Sequence, residues 1–225
     1  LYRELMPTPC LSFAVRCLGC AAGVMVTASH NPAKYNGYKV YGADGCQITD
    51  RAAEEIQREI SGVDVFGGVK REAFGRAVEY GTVSYIEEDV VTAFVEQVKA
   101  QSLEEEGVDK EIAIVYTPLN GTGLKPVLRV LREKGYTHLA VVEEQAQPDG
   151  NFPTCPYPNP EFREALTLAL KLAQESKPDL VLATDPDSDR VGIAVKDGDD
   201  YRLMTGNETG IMLMNYILSC RKRNG

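Results

Sequence analysis

A short segment rich in aspartate carries the strongest chemical signal in the sequence. Its carboxylates belong to Asp185, Asp187 and Asp189, which lie between two apolar segments and are followed by Arg190. Three like charges a few ångströms apart repel one another, and a single arginine offsets only part of that charge. Because charged oxygen ligands suit hard divalent cations, the segment predicts a Mg²⁺ or Ca²⁺ site.

The residues around the three aspartates can be compared with other motifs that contain acidic loops. An EF-hand that begins at Asp185 needs glycine at its sixth position and glutamate at its twelfth; these are Arg190 and Lys196, so that class is excluded. A phosphatase of the DxDx[TV] type has threonine or valine where Asp189 stands, although its strand-then-aspartate context is similar. A solvated acidic turn stays open as the alternative without function.

A second candidate loop contains Ser29 and His30, between apolar residues 24–26 and a strand-like segment at 38–41. Ser-His-Asp hydrolysis is disfavoured there, because adjacent side chains in an extended loop point apart and the GxSxG motif is absent. The other histidine, His138, precedes a predicted strand, where a surface position is expected.

The serine loop and the acidic loop each follow an apolar strand. In α/β sheets, loops at the carboxyl ends of strands converge on ligands. A serine that faces a divalent cation is the arrangement expected for a phosphorylated hydroxyl, whose phosphate adds about −1.5 to −2 charge and can complete a Mg²⁺ shell. Lys39 and Arg190 are the cations in range to hold an incoming hydroxyl or phosphate.

The remaining sequence predicts the elements that must position these loops. Helices are predicted at residues 8–18, 49–60, 84–102, 124–134 and 160–175 and from residue 206 onward. Strands are predicted at residues 21–26, 38–41, 112–116, 139–142, 180–183 and 191–195. Thr8 is expected to cap the first helix, and the first strand is expected to be buried. The alternation predicts an α/β fold with αβα layers and mixed, mostly parallel sheets.

Composition limits the classes of function. The chain has 24 Lys and Arg against 33 Asp and Glu, a net charge of −9, which disfavours a nucleic-acid surface. No apolar segment approaches the ~20 residues of a membrane span, so no membrane partner is expected. Six cysteines lie at irregular spacing and no secretory signal is visible, which predicts reduced thiols and a cytoplasmic protein. The Cys17–Cys20 pair is expected at a buried helix end rather than in a zinc site.

Together the two loops resemble those of the α-D-phosphohexomutases, the phosphoglucomutase/phosphomannomutase family. The main matching segments are Thr27-Ala-Ser-His-Asn-Pro32, Tyr35-Asn-Gly-Tyr-Lys39 and Asp185-Pro-Asp-Ser-Asp-Arg190, with weaker agreement at Asn120-Gly-Thr-Gly123 and Gly206-Asn-Glu208. The first and third of these, in this order, are a highly specific pair. The segment at 206–208 follows the acidic loop too closely to be the family's sugar-selecting loop, so it is expected to be a capped helix start.

The resemblance implies a role for each matching residue. Ser29 would be the phosphoserine and would also contact the cation, one Mg²⁺ per active site, bound by the three aspartates. His30 and Lys39 would be general acid or base candidates, while Lys39 and Arg190 would bind the substrate and stabilise the transferred phosphoryl group. The reaction would move that group between the C1 and C6 (or C5) hydroxyls of a phosphosugar, through a sugar bisphosphate that also acts as primer.

The resemblance also implies a division into domains. Family members have four domains around a deep cleft. Residues 1–85 would be the C-terminal part of domain I, residues 86–198 domain II, and residues 199–225 the beginning of domain III. The chain is therefore expected to be a fragment, which needs the remaining domains to complete the cleft and is inactive alone, because remote phosphate contacts supply much of the positioning energy.

Three other functions stay open. Ala28 and the Pro186/Ser188 pair resemble the branch that includes phosphopentomutase-like and glucose-specific members, so a phosphopentomutase is one alternative. A non-catalytic module that binds phosphosugar or metal is the second. A Mg²⁺ phosphatase with Asp185 as its nucleophile is the third.

Overall fold

The computed structural model describes residues 1–103 and 108–223, and helices and strands alternate through them. The first part of the chain forms α1 (Thr8–Cys17), β1 (Ala22–Val26), β2 (Tyr38–Gly42), α2 (Asp50–Ser61), α3 (Phe74–Glu79) and α4 (Glu88–Ala100). The second part forms β3 (Ile114–Thr117), α5 (Leu124–Glu133), β4 (Leu139–Val141), a 3₁₀ turn at Glu143–Gln145, α6 (Thr167–Ser176), β5 (Leu180–Thr184), β6 (Val191–Asp197), β7 (Asp200–Met204) and α7 (Gly206–Arg223). Among these described residues, no helix has the length and apolar content that a membrane span requires.

The main sheet has five strands in the order β4-β3-β5-β6-β7. Strand β3 pairs in parallel with β4 and β5, whereas the β5–β6 and β6–β7 pairs are antiparallel. The predicted α/β class and mixed sheet are confirmed, but the parallel share is smaller than predicted. The reason is the length of the connections: residues 185–190 between β5 and β6 are too few for the crossover that a parallel pair needs.

The hydrophobic core lies between this sheet and α6. Strands β3 and β5 contribute Val115, Val181 and Ala183, each with no exposed surface, and α6 contributes Ala169, Leu170 and Ala173. Tyr201 of β7 belongs to the same cluster and donates a hydrogen bond from its hydroxyl to the carbonyl of Pro178 (2.7 Å). Because apolar strands are covered here, the C-terminal ends of β3 and β5 are held rigidly, and the acidic loop begins at one of those ends.

A two-stranded antiparallel sheet, β1–β2, carries the serine loop. Val24 lies opposite Val40 in its register, and α1 packs against one face so closely that a Cβ on Gly23 would lie 2.6 Å from Val15 Cγ2. The expectation of a buried strand at residues 21–26 is wrong for the opposite face, because Val24 is 58% and Val26 is 73% exposed. Among the described residues, α1 is the helix that packs against this small sheet, and it shields one side.

Helix α4 joins the two parts of the chain. It lies against both α1 and α5, with the Phe13 and Phe94 rings edge to face at 5.7 Å. The helix predicted at residues 84–102 is therefore present, with shorter ends. Strand β7 extends the five-stranded sheet beyond residue 198, where the sequence places the end of the second domain. The division into three domains remains a prediction.

Two helix starts show how local hydrogen bonds set element boundaries. At α7, the Glu208 carboxylate accepts bonds from the Thr205 amide (2.8 Å) and hydroxyl (3.0 Å), a capping box that confirms the expected capped start. Helix α6 begins at Thr167, later than the predicted residue 160. The intervening turns use amide bonds to the carbonyl three residues earlier, such as Ala165 to Phe162 (3.1 Å), which wind more tightly than an α-helix.

Replacing Gly192 with alanine should strongly destabilise the protein. A Cβ at this position of β6 would lie 2.1 Å from the carbonyl oxygen of Pro160 and 2.7 Å from its carbonyl carbon, and both are backbone atoms. We expect the free energy of unfolding to fall by about 3 kcal/mol, which urea denaturation would measure. The matched control is Gly75→Ala, in α3, where a Cβ meets nothing within 4 Å. An equal loss in both variants would contradict this reason.

Candidate active site

The serine loop, residues 27–37, connects β1 to β2. Its ends are joined by a hydrogen bond from the Thr27 amide to the Gly37 carbonyl (3.0 Å), and its tip turns at Ala28–Asn31 (3.1 Å). Ser29 has a left-handed backbone conformation with φ of 55°, and its amide donates to Thr27 Oγ1 (2.8 Å). This conformation is unfavourable for a residue with a Cβ, so the surrounding bonds must impose it.

The acidic loop, residues 185–190, connects β5 to β6. The Asp185 carboxylate accepts a hydrogen bond from the Arg190 amide (2.9 Å), and the Ser188 amide donates to the Asp185 carbonyl (3.0 Å). Asp185 and Asp187 are buried, whereas Asp189 is exposed. One carboxylate oxygen from each of these three aspartates lies within 4.8 Å of the others, and no other group of at least three acidic, histidine or cysteine ligands forms within residues 1–103 and 108–223.

The two loops meet, although their residues are far apart in the sequence. The Ser29 hydroxyl lies 3.3 Å from Asp185 Oδ2 and 3.5 Å from Asp187 Oδ1. The sequence predicts that the Ser29 side chain lies close to the acidic loop, and the structure places it there. The geometry therefore places an esterifiable hydroxyl at the edge of a cluster of three carboxylates.

Asp187 is the most heavily bonded side chain of the site. Its Oδ2 accepts hydrogen bonds from the Thr8 hydroxyl (3.1 Å), the Thr27 hydroxyl (3.2 Å) and Lys39 Nζ (2.8 Å). Its carbonyl accepts a bond from the Thr8 amide (2.8 Å). Oδ2 thus binds three groups from the first part of the chain, and Oδ1 faces Ser29.

Thr8 is a site residue that the sequence analysis missed. It was expected to cap α1, but it is the first residue of that helix, Pro7 occupies the cap position, and no side chain caps the helix. Its hydroxyl is committed to Asp187 instead, and Thr8 is only 3% exposed. A threonine just before a proline is so common at helix starts that the sequence contains no separate signal for this contact.

Lys39 bridges Asp187 and Asp189. Its ammonium lies 2.8 Å from Asp187 Oδ2 and 2.7 Å from Asp189 Oδ2. Burial acts to lower the pKa of Lys39, but the hydrogen bonds to these carboxylates outweigh it and raise the pKa above its usual value. These contacts favour the charged form of Lys39, between Asp187 and Asp189. Arg190 is exposed at the rim of the site.

His30 lies closer to Ser29 than expected. Its Nδ1 is 3.2 Å from the Ser29 hydroxyl, so the expectation that adjacent side chains point apart is wrong. The left-handed turn at Ser29 brings the two side chains to one side. Burial and the charge of Arg190 lower the pKa of His30, against the opposing effect of the nearby carboxylates. No carboxylate among the described residues hydrogen-bonds its ring, so the acid of a hydrolase triad is lacking there.

The carboxylates have a chemistry that fits a hard divalent cation. Burial and then the charge of Asp187 raise the pKa of Asp185. Burial acts in the same direction on Asp187, but the hydrogen bond from Lys39 holds the pKa of Asp187 below its usual value. A cation bound by these oxygens would offset the repulsion that Lys39 leaves uncompensated. The donor set, oxygen atoms from three carboxylates, is the kind that Mg²⁺ prefers.

The loop that follows β3 supports the acidic loop from behind. The amide and hydroxyl of Thr122 both donate to the Pro186 carbonyl, at 2.8 and 3.0 Å. A Cβ on Gly121 would lie 2.3 Å from Pro186 Cα, and one on Gly123 would lie 2.7 Å from the hydroxyl oxygens of Ser188 and Thr184. The weaker sequence match at residues 120–123 therefore corresponds to direct packing against the acidic loop.

Two openings reach the site. An open cleft of about 960 Å³ runs from Ser29 and Asp187 past Thr122 and along β1. A smaller one, about 300 Å³, lies between His30 and the side chains at residues 157–162. Cavities of this range accommodate small ligands.

The remaining candidate residues lie away from the site. His138 is on the surface as expected, with Nε2 3.0 Å from a carboxylate oxygen of Glu111. The Cys17–Cys20 pair lies at the end of α1, but the expected buried helix end is wrong, because Cys17 is exposed and Cys20 is half-buried.

The cysteine thiols should differ sharply in reactivity. Cys10 is fully buried in α1, and burial raises its pKa to about 12, whereas Cys17 and Cys46 are exposed. A rise from 9.0 to about 12 lowers the thiolate fraction at pH 8 by about a thousandfold. Iodoacetamide at pH 8 should therefore modify Cys17 and Cys46 first, as peptide mass spectrometry would show. Comparable early labelling of Cys10 in the folded protein would contradict this burial.

Comparison with known proteins identifies related sequences over most of the chain. Residues 1–64 match the model of phosphoglucomutase/phosphomannomutase α/β/α domain I, and residues 91–198 match that of domain II. A phosphoglucomutase from Staphylococcus saprophyticus is 39% identical over 208 residues, which cover 92% of this chain and 37% of the relative. A phosphoribomutase from Saccharomyces cerevisiae is 35% identical over 227 residues, covering 95% of this chain and 36% of the relative. The chain thus spans little more than a third of the length of these relatives.

Solved structures show the same fold. A protein from Thermus thermophilus described as a phosphomannomutase superposes with a TM-score of 0.67 at 27% identity, over 89% of this chain and 42% of that one. A phosphoglucomutase/phosphomannomutase family protein from Burkholderia thailandensis gives 0.66 at 22% identity, over 95% of this chain and 43% of that one. Two matched domains of one family, together with the serine and acidic loops that meet in space, lead to one conclusion: the chain belongs to the phosphoglucomutase/phosphomannomutase family.

Proposed function

We propose that this chain supplies the phosphoserine and the cation-binding loop of a phosphosugar mutase, an isomerase that works by phosphoryl transfer. The observation that carries the proposal is the position of the Ser29 hydroxyl, 3.3 Å from Asp185 Oδ2 and 3.5 Å from Asp187 Oδ1. A phosphate on that hydroxyl would lie beside the three carboxylates, and a Mg²⁺ ion held by them would withdraw charge from the phosphoryl group.

The chain's own residues then divide the remaining tasks. A hydroxyl of the sugar attacks the phosphorus, the bond from phosphorus to Ser29 Oγ breaks, and Ser29 Oγ recovers a proton as the sugar hydroxyl loses one. Lys39 and Arg190 stabilise the charge of the transferred group and hold the substrate. His30 Nδ1, 3.2 Å from Ser29 Oγ, is placed to exchange a proton with that oxygen.

The second half of the reaction reverses the first at another hydroxyl. The product of the first transfer is a sugar bisphosphate, and return of its other phosphate to Ser29 gives the isomeric phosphosugar. A bisphosphate therefore also serves as the primer that phosphorylates a fresh serine. The names of the relatives, phosphoglucomutase and phosphoribomutase, support a hexose or pentose phosphate as substrate.

The length of the relatives bears on activity and location. The chain covers 37% of a related phosphoglucomutase, so we propose that further domains of a longer protein complete the cleft and that this chain alone does not turn over substrate. Phosphate contacts remote from the reacting group supply binding energy that the chain alone lacks. We place the protein in the cytoplasm, in keeping with its six cysteines, all of them thiols in the described part of the chain.

Two other functions make different predictions. A module that binds phosphosugar without catalysis would leave Ser29 unphosphorylated. A phosphatase would use Asp185 as its nucleophile and would release inorganic phosphate. The phosphatase is disfavoured because Asp185 has no exposed surface and its Oδ1 already accepts the Arg190 amide (2.9 Å).

The deciding experiment follows the phosphate. The complete protein is incubated with Mg²⁺ and a ³²P-labelled glucose bisphosphate, phosphopeptides are mapped by mass spectrometry, and unlabelled glucose 1-phosphate is then added. A mutase gives label on Ser29 that moves onto the added sugar. A module gives no label on the protein. A phosphatase gives inorganic phosphate, is inactivated by Asp185→Asn and is unaffected by Ser29→Ala.

A further inference from the structure

A buried cluster of amides and hydroxyls lies behind the acidic loop and has no role in the mechanism above. The side chain of Gln145 is at its centre, 1% exposed, with Oε1 accepting the Thr117 hydroxyl (2.7 Å) and Nε2 donating to Thr154 Oγ1 (3.1 Å). Asn120, 6% exposed, donates from Nδ2 to the carbonyls of Glu144 (3.3 Å) and Gln147 (2.9 Å). Every buried side-chain nitrogen and oxygen among the described residues has a partner.

This cluster fixes an unfavourable backbone conformation. Leu119 and Asn120 both have left-handed φ angles, 50° and 55°. The Asn120 amide donates to the Gln145 carbonyl (2.9 Å), and the Leu119 amide donates to Thr117 Oγ1 (3.1 Å). Consecutive left-handed residues with side chains persist only where neighbouring groups over-determine them. Here the backbone carbonyl of Gln145 accepts the Asn120 amide, and the Gln145 side chain acts through Thr117, whose hydroxyl donates to Gln145 Oε1 and accepts the Leu119 amide.

The strained turn leads directly to the acidic loop. The residue after Asn120 is Gly121, which contacts Pro186 without room for a Cβ, and the next is Thr122, which donates two hydrogen bonds to the Pro186 carbonyl. Pro186 lies between Asp185 and Asp187. A rotation of the turn would therefore move both buried carboxylates relative to each other and to Ser29.

Stability alone does not account for a glutamine at this position. Removing an amide from water has a free-energy cost that its hydrogen bonds only restore, and apolar side chains at residue 145 and at its partners Thr117 and Thr154 would pack without that cost. What the amide provides in addition is one fixed conformation of the turn.

We propose that Gln145 and Asn120 are positioning residues for the divalent cation, because their hydrogen bonds fix the turn at residues 118–123 and, through Pro186, the spacing of Asp185 and Asp187. The proposal rests on the cation-binding part of the proposed function and on none of its phosphoryl chemistry.

The test is Gln145→Met, which keeps the length of the side chain, removes both of its side-chain hydrogen bonds and leaves the backbone bond from the Asn120 amide in place. The dissociation constant for Mn²⁺, titrated into the whole chain and followed by electron paramagnetic resonance, should rise about tenfold, the lower end of what loss of an outer partner causes at metal sites. Hydrogen exchange should also speed up at the Thr122 amide, which donates to Pro186. This second measurement does not depend on bound metal.

Two further variants separate positioning from general stability. Tyr201→Phe removes a buried hydrogen bond at the opposite end of β5, to the Pro178 carbonyl, and should lower the melting temperature without changing the Mn²⁺ affinity. Thr122→Val removes one of the two hydrogen bonds to the Pro186 carbonyl and keeps the other. This variant tests the proposal even if Gln145→Met folds poorly. We expect its Mn²⁺ affinity to be about threefold weaker.

The outcomes decide the proposal. It is supported if Mn²⁺ affinity falls in Gln145→Met and Thr122→Val but not in Tyr201→Phe. It is overturned if the first two variants bind Mn²⁺ as the unmodified chain does, if Tyr201→Phe loses as much affinity, or if the unmodified chain binds no Mn²⁺. Failure of the mutase proposal looks different: Ser29 stays unlabelled while the Mn²⁺ results still hold.

Discussion

Replacing Ser29 with alanine should abolish phosphoryl transfer while leaving the fold and the cation site intact. In the complete protein we expect isomerisation of phosphosugar to fall at least about a thousandfold, because the covalent role belongs to Ser29 in the proposed mechanism and the nearby Thr8 and Thr27 hydroxyls are hydrogen-bonded to Asp187. The chain itself should lose all incorporation of label from a sugar bisphosphate. The melting temperature should change little, since Ser29 is not part of the hydrophobic core.

A second serine in the facing loop provides the matched control for Ser29. Ser188 also has a left-handed conformation, φ 56° against 55° for Ser29, so alanine is subject to similar backbone strain at both positions. Its hydroxyl has only a long contact with the Asp185 carbonyl, at 3.5 Å, and no carboxylate among the described residues accepts it. Ser188→Ala should therefore retain phosphorylation at Ser29. If Ser29→Ala kept isomerase activity, the phosphoserine assignment would have to be abandoned.

The second large effect is expected for Asp187→Asn, which should weaken the cation site and the fold together. The substitution relieves repulsion from Asp185, but it removes the charge that Lys39 pairs with at 2.8 Å. It also leaves three donors, from Thr8, Thr27 and Lys39, with at best a neutral acceptor in place of a carboxylate. Lys39 keeps its contact with Asp189, but three donors lose a charged acceptor at a buried position, so the loss outweighs the relief, by about 2–4 kcal/mol of unfolding free energy.

Asp189→Asn separates these two consequences. Asp189 is exposed, and of the donors Thr8, Thr27 and Lys39 it contacts only Lys39. Its replacement should therefore weaken Mn²⁺ binding but lower the free energy of unfolding by less than about 1 kcal/mol. Urea denaturation and Mn²⁺ titration on both variants would measure the split. Equal losses of stability in the two variants would show that Asp187 does not join the parts of the chain.

The elements and the two loops could be predicted because local signals specify them. The apolar residues of β3 and β5 and the Thr205–Glu208 capping box act over a few residues, so the sequence displays them directly. The acidic loop could be recognised for a related reason: three aspartates in five residues repel one another, and a bound cation would offset that repulsion.

What the sequence did not reveal depends on contacts between distant residues. The left-handed turn at Ser29, which brings His30 Nδ1 within 3.2 Å, results from bonds across the loop rather than from the identity of the serine. Thr8 and Asp187 are 179 positions apart in the sequence, and no local sequence pattern predicts their contact. Gln145 lies in the polar segment Glu143–Gln147, so the sequence does not distinguish it from its neighbours; only its contacts with the turn do.

The two oxygens of Asp187 face different parts of the molecule, and a thermodynamic linkage follows from that division. Oδ2 is held by Thr8 at the start of α1 and by Lys39 on β2, while Oδ1 points toward Ser29, at the edge of the carboxylate cluster. A cation bound by the carboxylates therefore also favours one alignment of the segments before and after α4. Because such coupling is reciprocal, that alignment changes the affinity for the cation by the same factor. A chelating buffer would then loosen the association of the two halves, and a protease that cuts between them would report on divalent ions.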